Sequence, residues 1–205
     1  MGRELIQKRI EDRIRNSKLG EIFITADFTD MASSDAASRA LLRLSDTGII
    51  RHVMRGVYEY PEYSDLLKEY VAPSPDKVAH ALARNYGWTI TPSGDTALNV
   101  LGLSTQVPAA WLYVSDGPYK EYAFDRIALK FKHTANRDIS RVSYMTALVI
   151  QALKTLGKEN IIEGVMKAIS ATLTEAEKQT MLREAKYTTS WIYDAIKMIC
   201  MREQS

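Results

Sequence analysis

Three histidines and one cysteine are the side chains best able to hold a metal or begin nucleophilic chemistry, and their spacing serves neither purpose. His52, His80 and His133 fall in separate segments, without the short repeat that brings two imidazoles onto one face. Cys200 stands alone, so it closes no internal disulfide and builds no thiolate metal site. Its apolar setting reads as that of a small buried hydrophobe. Ser93-Gly94-Asp95 lacks the flanking glycines of a nucleophile elbow and serves better as a helix cap. No G-x-x-x-x-G-K or G-x-G-x-x-G loop is present to cradle phosphates. No catalytic residue, metal or cofactor is expected, and the chain is not read as an enzyme.

The chemistry on offer is recognition. Ser33, Ser34, Asp35, Ser38, Arg39 and Arg43 crowd into eleven residues, and Arg51, His52 and Arg55 follow closely. Hydroxyls and free N–H groups at a helix start suit a phosphate. An arginine can place two parallel bonds on guanine, and a basic hairpin tip can reach a minor groove or a phosphate. Net charge does not supply this argument: it is +2 overall, and residues 1–62 carry ten basic and ten acidic side chains. Placement must carry it instead.

The elements that would position these residues follow from periodicity. Ile6, Ile10 and Ile14 repeat every four residues and predict a helix from about Arg3 to Arg15, stopped by Gly20. Glu21–Ile24 reads as a strand, and a short helix then carries Phe28 and Met31 inward. Ser33 or Ser34 caps the next helix, whose Ala37, Ala40, Leu41 and Leu44 form one apolar stripe. Asp35, Arg39 and Leu42 point furthest from that stripe. Gly48 ends the helix, and two short strands, Ile49–Met54 and Val57–Tyr60, meet at Arg55-Gly56. Helix, strand, helix, capped helix and hairpin are the order of a winged helix-turn-helix, with the capped helix lying in the major groove.

Beyond Pro61, residues 63–76 read as a connector, with a short helix over Tyr63–Tyr70 and a Pro-punctuated link after it. A helix from Asp76 to Arg84, a strand at Trp88–Thr91 and a helix opening at Pro92 come next. Strands at Ala109–Val114 and Ala123–Phe131 flank a turn at Asp116-Gly117-Pro118. On the second of these Arg126, Lys130 and Lys132 share a basic face that would contact a phosphate or an acidic partner. From Ser140 the pattern is helical, with a capping box at Thr174-Glu175-Ala176-Glu177 and stripes suited to a small bundle.

The stretch from Gly20-Glu21-Ile22-Phe23 to Arg55-Gly56-Val57-Tyr58 resembles the N-terminal module of AbiEi-type antitoxins. The match continues through Ser74-Pro75-Asp76, then Thr91-Pro92-Ser93-Gly94 and Ala97-Leu98-Asn99-Val100-Leu101-Gly102-Leu103, to Gln106-Val107-Pro108. It covers roughly residues 3–135 and includes a short bacterial branch of uncharacterised regulators. The resemblance implies a bacterial antitoxin of the abortive-infection type, paired with a nucleotidyltransferase-like toxin. It also implies repression of its own operon through DNA binding by Ser34, Asp35, Ser38, Arg39 and Arg43, with Arg51 and Arg55 on the wing.

The expectation is therefore an α+β protein with three parts. A winged helix-turn-helix occupies residues 1–62, a connector 63–76, and an α/β segment with a C-terminal helical bundle 77–205. The expected partners are double-stranded DNA of its own promoter, a cognate toxin and, in a homodimer, a second copy of the chain. With one cysteine, no apolar run of membrane length and a polar start, a cytoplasmic setting is expected. The alternative is a protein-interaction module that neutralises a toxin directly through its central and C-terminal part.

Overall fold

Isoleucines at four-residue spacing bury one side of the first helix, α1 (Arg3–Arg15), with Ile10 and Ile14 fully enclosed. They meet the stripe of α2 (Ser34–Asp46), where Ala37, Ala40, Leu41 and Leu44 are all at 0% exposure. Between the two helices run β1 (Glu21–Ile24) and a single 3-10 turn, Thr25–Phe28, which drops Phe28 into the same core. Asp27 accepts from the Ile24 backbone N–H at 2.9 Å and so closes that turn at its start. After α2, β2 (Arg51–Met54) and β3 (Val57–Tyr60) complete an antiparallel sheet of order β1-β3-β2. Ile49 and Ile50 do not belong to β2, because their N–H groups close the end of α2 on the Leu44 carbonyl.

The computed structural model describes residues 3–134 and 139–201. It is an α+β protein of eight α-helices and nine strands among the described residues. Two compact units are distinguished: residues 1–87 with 124–126, and residues 88–123 with 127–205.

The first unit extends beyond the expected break at residue 62. Residues 63–71 form a hairpin rather than a helix: β4 (Tyr63–Ser64) pairs with β5 (Glu69–Tyr70). The Tyr63 and Tyr70 rings meet edge to face at 5.3 Å. Ser64 holds the loop, its Oγ accepting from Leu67 N–H and its carbonyl from Lys68 N–H. Next comes α3 (Pro75–Tyr86), capped by Ser74, started by Pro75 and ended by left-handed Gly87. It packs on β1 and β3, while Lys77 Nζ donates to the Gly20 carbonyl at 2.8 Å and Arg84 to that of Ile22 at 3.3 Å. The helix expected to open the C-terminal domain thus closes the N-terminal unit.

The second unit is built on a four-stranded sheet of order β6-β7-β9-β8. β6 (Ile90–Pro92) is antiparallel to β7 (Trp111–Ser115), and β7 is parallel to β9 (Ile127–His133). The single strand expected over Ala123–Phe131 is two, because the chain reverses between β8 (Lys120–Phe124) and β9. Asp125 and Arg126 take φ of +43° and +66°, the left-handed pair that a two-residue hairpin turn requires. Helices α4 (Asp95–Val100), α5 (Tyr144–Leu156), α6 (Glu163–Thr172), α7 (Glu175–Glu184) and α8 (Ser190–Cys200) complete the unit. Leu148, Leu153, Ile169, Met181 and Ile196 lie at the centre of one helical core. The capping box of α7 forms as expected, with Thr174 Oγ1 accepting from Glu177 N–H and the Glu177 carboxylate accepting from Thr174 N–H.

Candidate nucleic-acid interface

Ser33 is the N-cap of α2, its Oγ accepting from Ala36 N–H at 3.4 Å. Ser34 is the first helical residue. With the stripe of α2 committed to the core, Ser34, Asp35, Ser38, Arg39 and Leu42 form the exposed face. Across the sheet, Gly56 takes φ +76° at the β2–β3 turn, leaving Arg55 exposed at the tip. His52 is exposed on β2 with its ring edge-on to Tyr58 at 5.4 Å.

The arginines of this unit separate sharply by what holds them. Arg13 grips Asp30 through two nitrogens at 2.9 and 2.6 Å. Arg15 donates to Glu11 at 2.7 Å, and Arg84 to Asp27 at 3.3 Å. Arg43, expected as a DNA reader, instead donates its Nε to Gln7 of α1 at 2.7 Å. Arg51, expected on the wing, donates its Nε to Glu59 at 2.9 Å and a terminal nitrogen to the Val71 carbonyl at 2.7 Å. Arg39 and Arg55 have no hydrogen-bond or ion-pair partner among the described residues, although Asp35 stands one helical turn from Arg39. A cleft of about 70 Å³ lies beside Arg39, lined also by Ile6, Ala36 and Arg43.

Glu59 is the functional neighbour that sequence reasoning missed. Only 2% exposed, its carboxyl is pushed above the ordinary range by burial, against the opposing pull of Arg51. Its signal would have been the cross-strand pairing of Arg51 with Glu59, which a bulge at Val53 creates.

Of the second expected basic face, Lys130 and Lys132 fall on the same side of β9. Arg126 sits in the turn before β9 with left-handed backbone, not on the strand. Lys130 is paired with Glu121 at 3.1 Å. Tyr119 donates to the same carboxylate, and these two bonds hold Glu121 below its usual range. Lys132 is exposed.

Among the described residues no group of three His, Cys, Asp or Glu side chains could hold a metal ion. Burial pushes the Cys200 thiol up to about 11, far from a reactive thiolate. No helix among the described residues is long and apolar enough to cross a membrane.

Fold and surface together define a two-unit α+β protein whose N-terminal unit presents a capped helix and a hairpin tip, each with an uncommitted arginine. The chain belongs to DUF6088, a family of unknown function, whose model matches residues 9–181. No curated protein matches it. Among solved structures it is similar to the RV2827C protein from Mycobacterium tuberculosis, at 11% identity and a TM-score of 0.43, covering 96% of this chain and 76% of that one.

Proposed function

We propose that the N-terminal unit is a winged helix-turn-helix that binds double-stranded DNA. In this reading α2 lies in the major groove and the β2–β3 hairpin is the wing. The observation that carries it is a contrast among arginines: Arg13, Arg15, Arg43, Arg51 and Arg84 are bonded within the protein, while Arg39 and Arg55 project unpaired from the two elements a duplex would meet. An arginine kept free of an available carboxylate is poised for an external acceptor, such as the guanine edge or a phosphate. The capped start of α2 adds N–H groups and a positive helix end toward the backbone.

The biological role we propose is that of an autorepressor and antitoxin in an abortive-infection operon, in line with the motif resemblance. Bound at repeated or inverted half-sites near its promoter, the protein would exclude polymerase by occupying the same duplex. A second reading, a protein-interaction module, draws on the β4–β5 hairpin, whose tip leaves Leu66 91% and Leu67 64% exposed.

The deciding experiment titrates labelled DNA from upstream of the gene against the protein at two salt concentrations, with a scrambled duplex as control. Each phosphate neutralised contributes about −0.9 to the log–log salt slope. Selective binding with a slope of several units supports the repressor reading. Equal, weak binding to both duplexes would transfer the function to the hairpin, to be pursued by pull-down with the neighbouring gene product.

A further inference from the structure

We propose that Leu42 is a base-reading residue that packs on the C5-methyl group of a thymine in the major groove, beside the base pair engaged by Arg39. The inference rests on the DNA-binding reading above and specifies what that helix reads.

The argument begins with helical phase. At about 100° per residue, the buried Ala37, Ala40, Leu41 and Leu44 define the inward direction of α2, and Leu42 falls close to its opposite. It lies at the centre of the outward face, with Ser38 four residues before it, Arg39 three before it and Asp35 a further turn away. Residues three and four apart are neighbours on a helix surface, so Leu42 and Arg39 would meet adjacent base steps. Leu42 is 55% exposed, whereas every other apolar residue of α2 beyond Ala36 is fully buried. The fold therefore makes no use of its outer half.

The chemistry of the groove then narrows what it can touch. A leucine side chain offers no bond to phosphate, sugar or the polar base edges, so its apolar surface gains only by covering another apolar surface. The thymine methyl is that surface in the major groove of unmodified B-form DNA. Arg39 supplies guanine recognition and Leu42 methyl recognition, so one helical turn reads a G·C pair and a neighbouring A·T pair by different physics.

The test replaces each thymine of the upstream duplex in turn by deoxyuridine, which deletes the methyl and leaves base pairing unchanged. For the wild-type protein, one or two neighbouring replacements should weaken binding about fourfold, the worth of burying one methyl-sized group. The same replacements should have no effect on Leu42→Ala. Leu42→Gln, a good helix former of similar length, should behave like the alanine variant, which removes lost helix stability as the cause. Indifference of the wild type to every replacement, or an equal loss in wild type and variants, would overturn the role of Leu42 while leaving DNA binding intact. Failure of the folded wild type to bind any duplex would overturn both readings together.

Discussion

Arg51 on β2 lies directly across from Glu59 on β3, and its guanidinium bonds both that buried carboxylate and the Val71 carbonyl at the end of the next hairpin. One side chain thus ties the β2–β3 ribbon to the segment that follows it. Breaking a buried pair leaves the second charge without compensation, at about 3–5 kcal/mol. Arg51→Ala should fall at the lower end, about 3 kcal/mol, because the Arg51 side chain keeps 29% exposure and water can partly replace it.

The pH dependence of that loss has a definite sign. Burial raises the Glu59 carboxyl in the folded protein, so the native state holds this proton more firmly than the unfolded chain does. The stability it contributes is present in acid and is lost as pH rises through the raised value. Removing Arg51 raises the carboxyl further. Denaturation curves across the acid range should therefore show Arg51→Ala most damaging at neutral pH and progressively less so in acid, with Arg51→Ala/Glu59→Gln recovering most of the loss. A pH-independent deficit would mean that the pair contributes through packing alone.

Arg39→Ala and Leu41→Ala form a paired control on neighbouring turns of α2. Arg39 is exposed and makes no hydrogen bond or ion pair among the described residues, so its loss should leave the melting temperature nearly unchanged while costing about 1–3 kcal/mol of specific DNA affinity. Leu41 is fully buried, and its truncation should cost about 2–5 kcal/mol of stability. A melting shift in Arg39→Ala, or none in Leu41→Ala, would place the two residues on faces other than those assigned.

Gly117 in the second unit has no room for a side chain. A Cβ there would stand 2.4 Å from the indole carbon Cε2 of Trp88, whose ring meets Phe131 edge to face at 5.7 Å. Gly117→Ala must displace that indole, at about 1–3 kcal/mol. Near-ultraviolet circular dichroism and urea denaturation should report the displacement; wild-type values in both would show that the turn adapts without moving Trp88.

At the start of α7, Thr174→Ala should remove about 1 kcal/mol. The backbone and hydroxyl of Thr174 hold the Glu177 carboxyl below its usual range. That contribution is present above the ordinary glutamate value and is lost as pH falls through the lowered one. Thr174→Ala loses the hydroxyl bond to that carboxylate and the cap on Glu177 N–H but keeps the backbone bond, so its melting-temperature deficit should narrow in strong acid without vanishing and widen toward neutrality.

How much of this was legible in the sequence depends on the range of the interactions. The α2 stripe and a serine cap at Ser33 or Ser34 could be read directly, because both are set within a few residues; the structure selects Ser33. So could the Arg55-Gly56 tip, since a left-handed glycine announces a turn. The pairing of Arg51 with Glu59 could not. An unbroken ladder from a two-residue turn would place Arg51 opposite Tyr60, and the bulge between His52 and Met54 shifts it by one. The hairpin at 63–71 was hidden because Leu66-Leu67-Lys68-Glu69 are good helix formers, and the Tyr63–Tyr70 contact that overrides them spans the whole segment. The turn at Asp125-Arg126 was masked by unbroken apolar alternation and by the absence of glycine at either left-handed position. Arg43 looked like a reader because the Gln7 that claims it lies on another helix.

Cys200 turns its chemical inertness into an internal clock. It is the only cysteine in the chain, it is buried near the end of α8, and its thiol is held to about 11. With 9% of the residue exposed at the last position of α8, the rate of single-site alkylation at neutral pH would time the opening of that helix end.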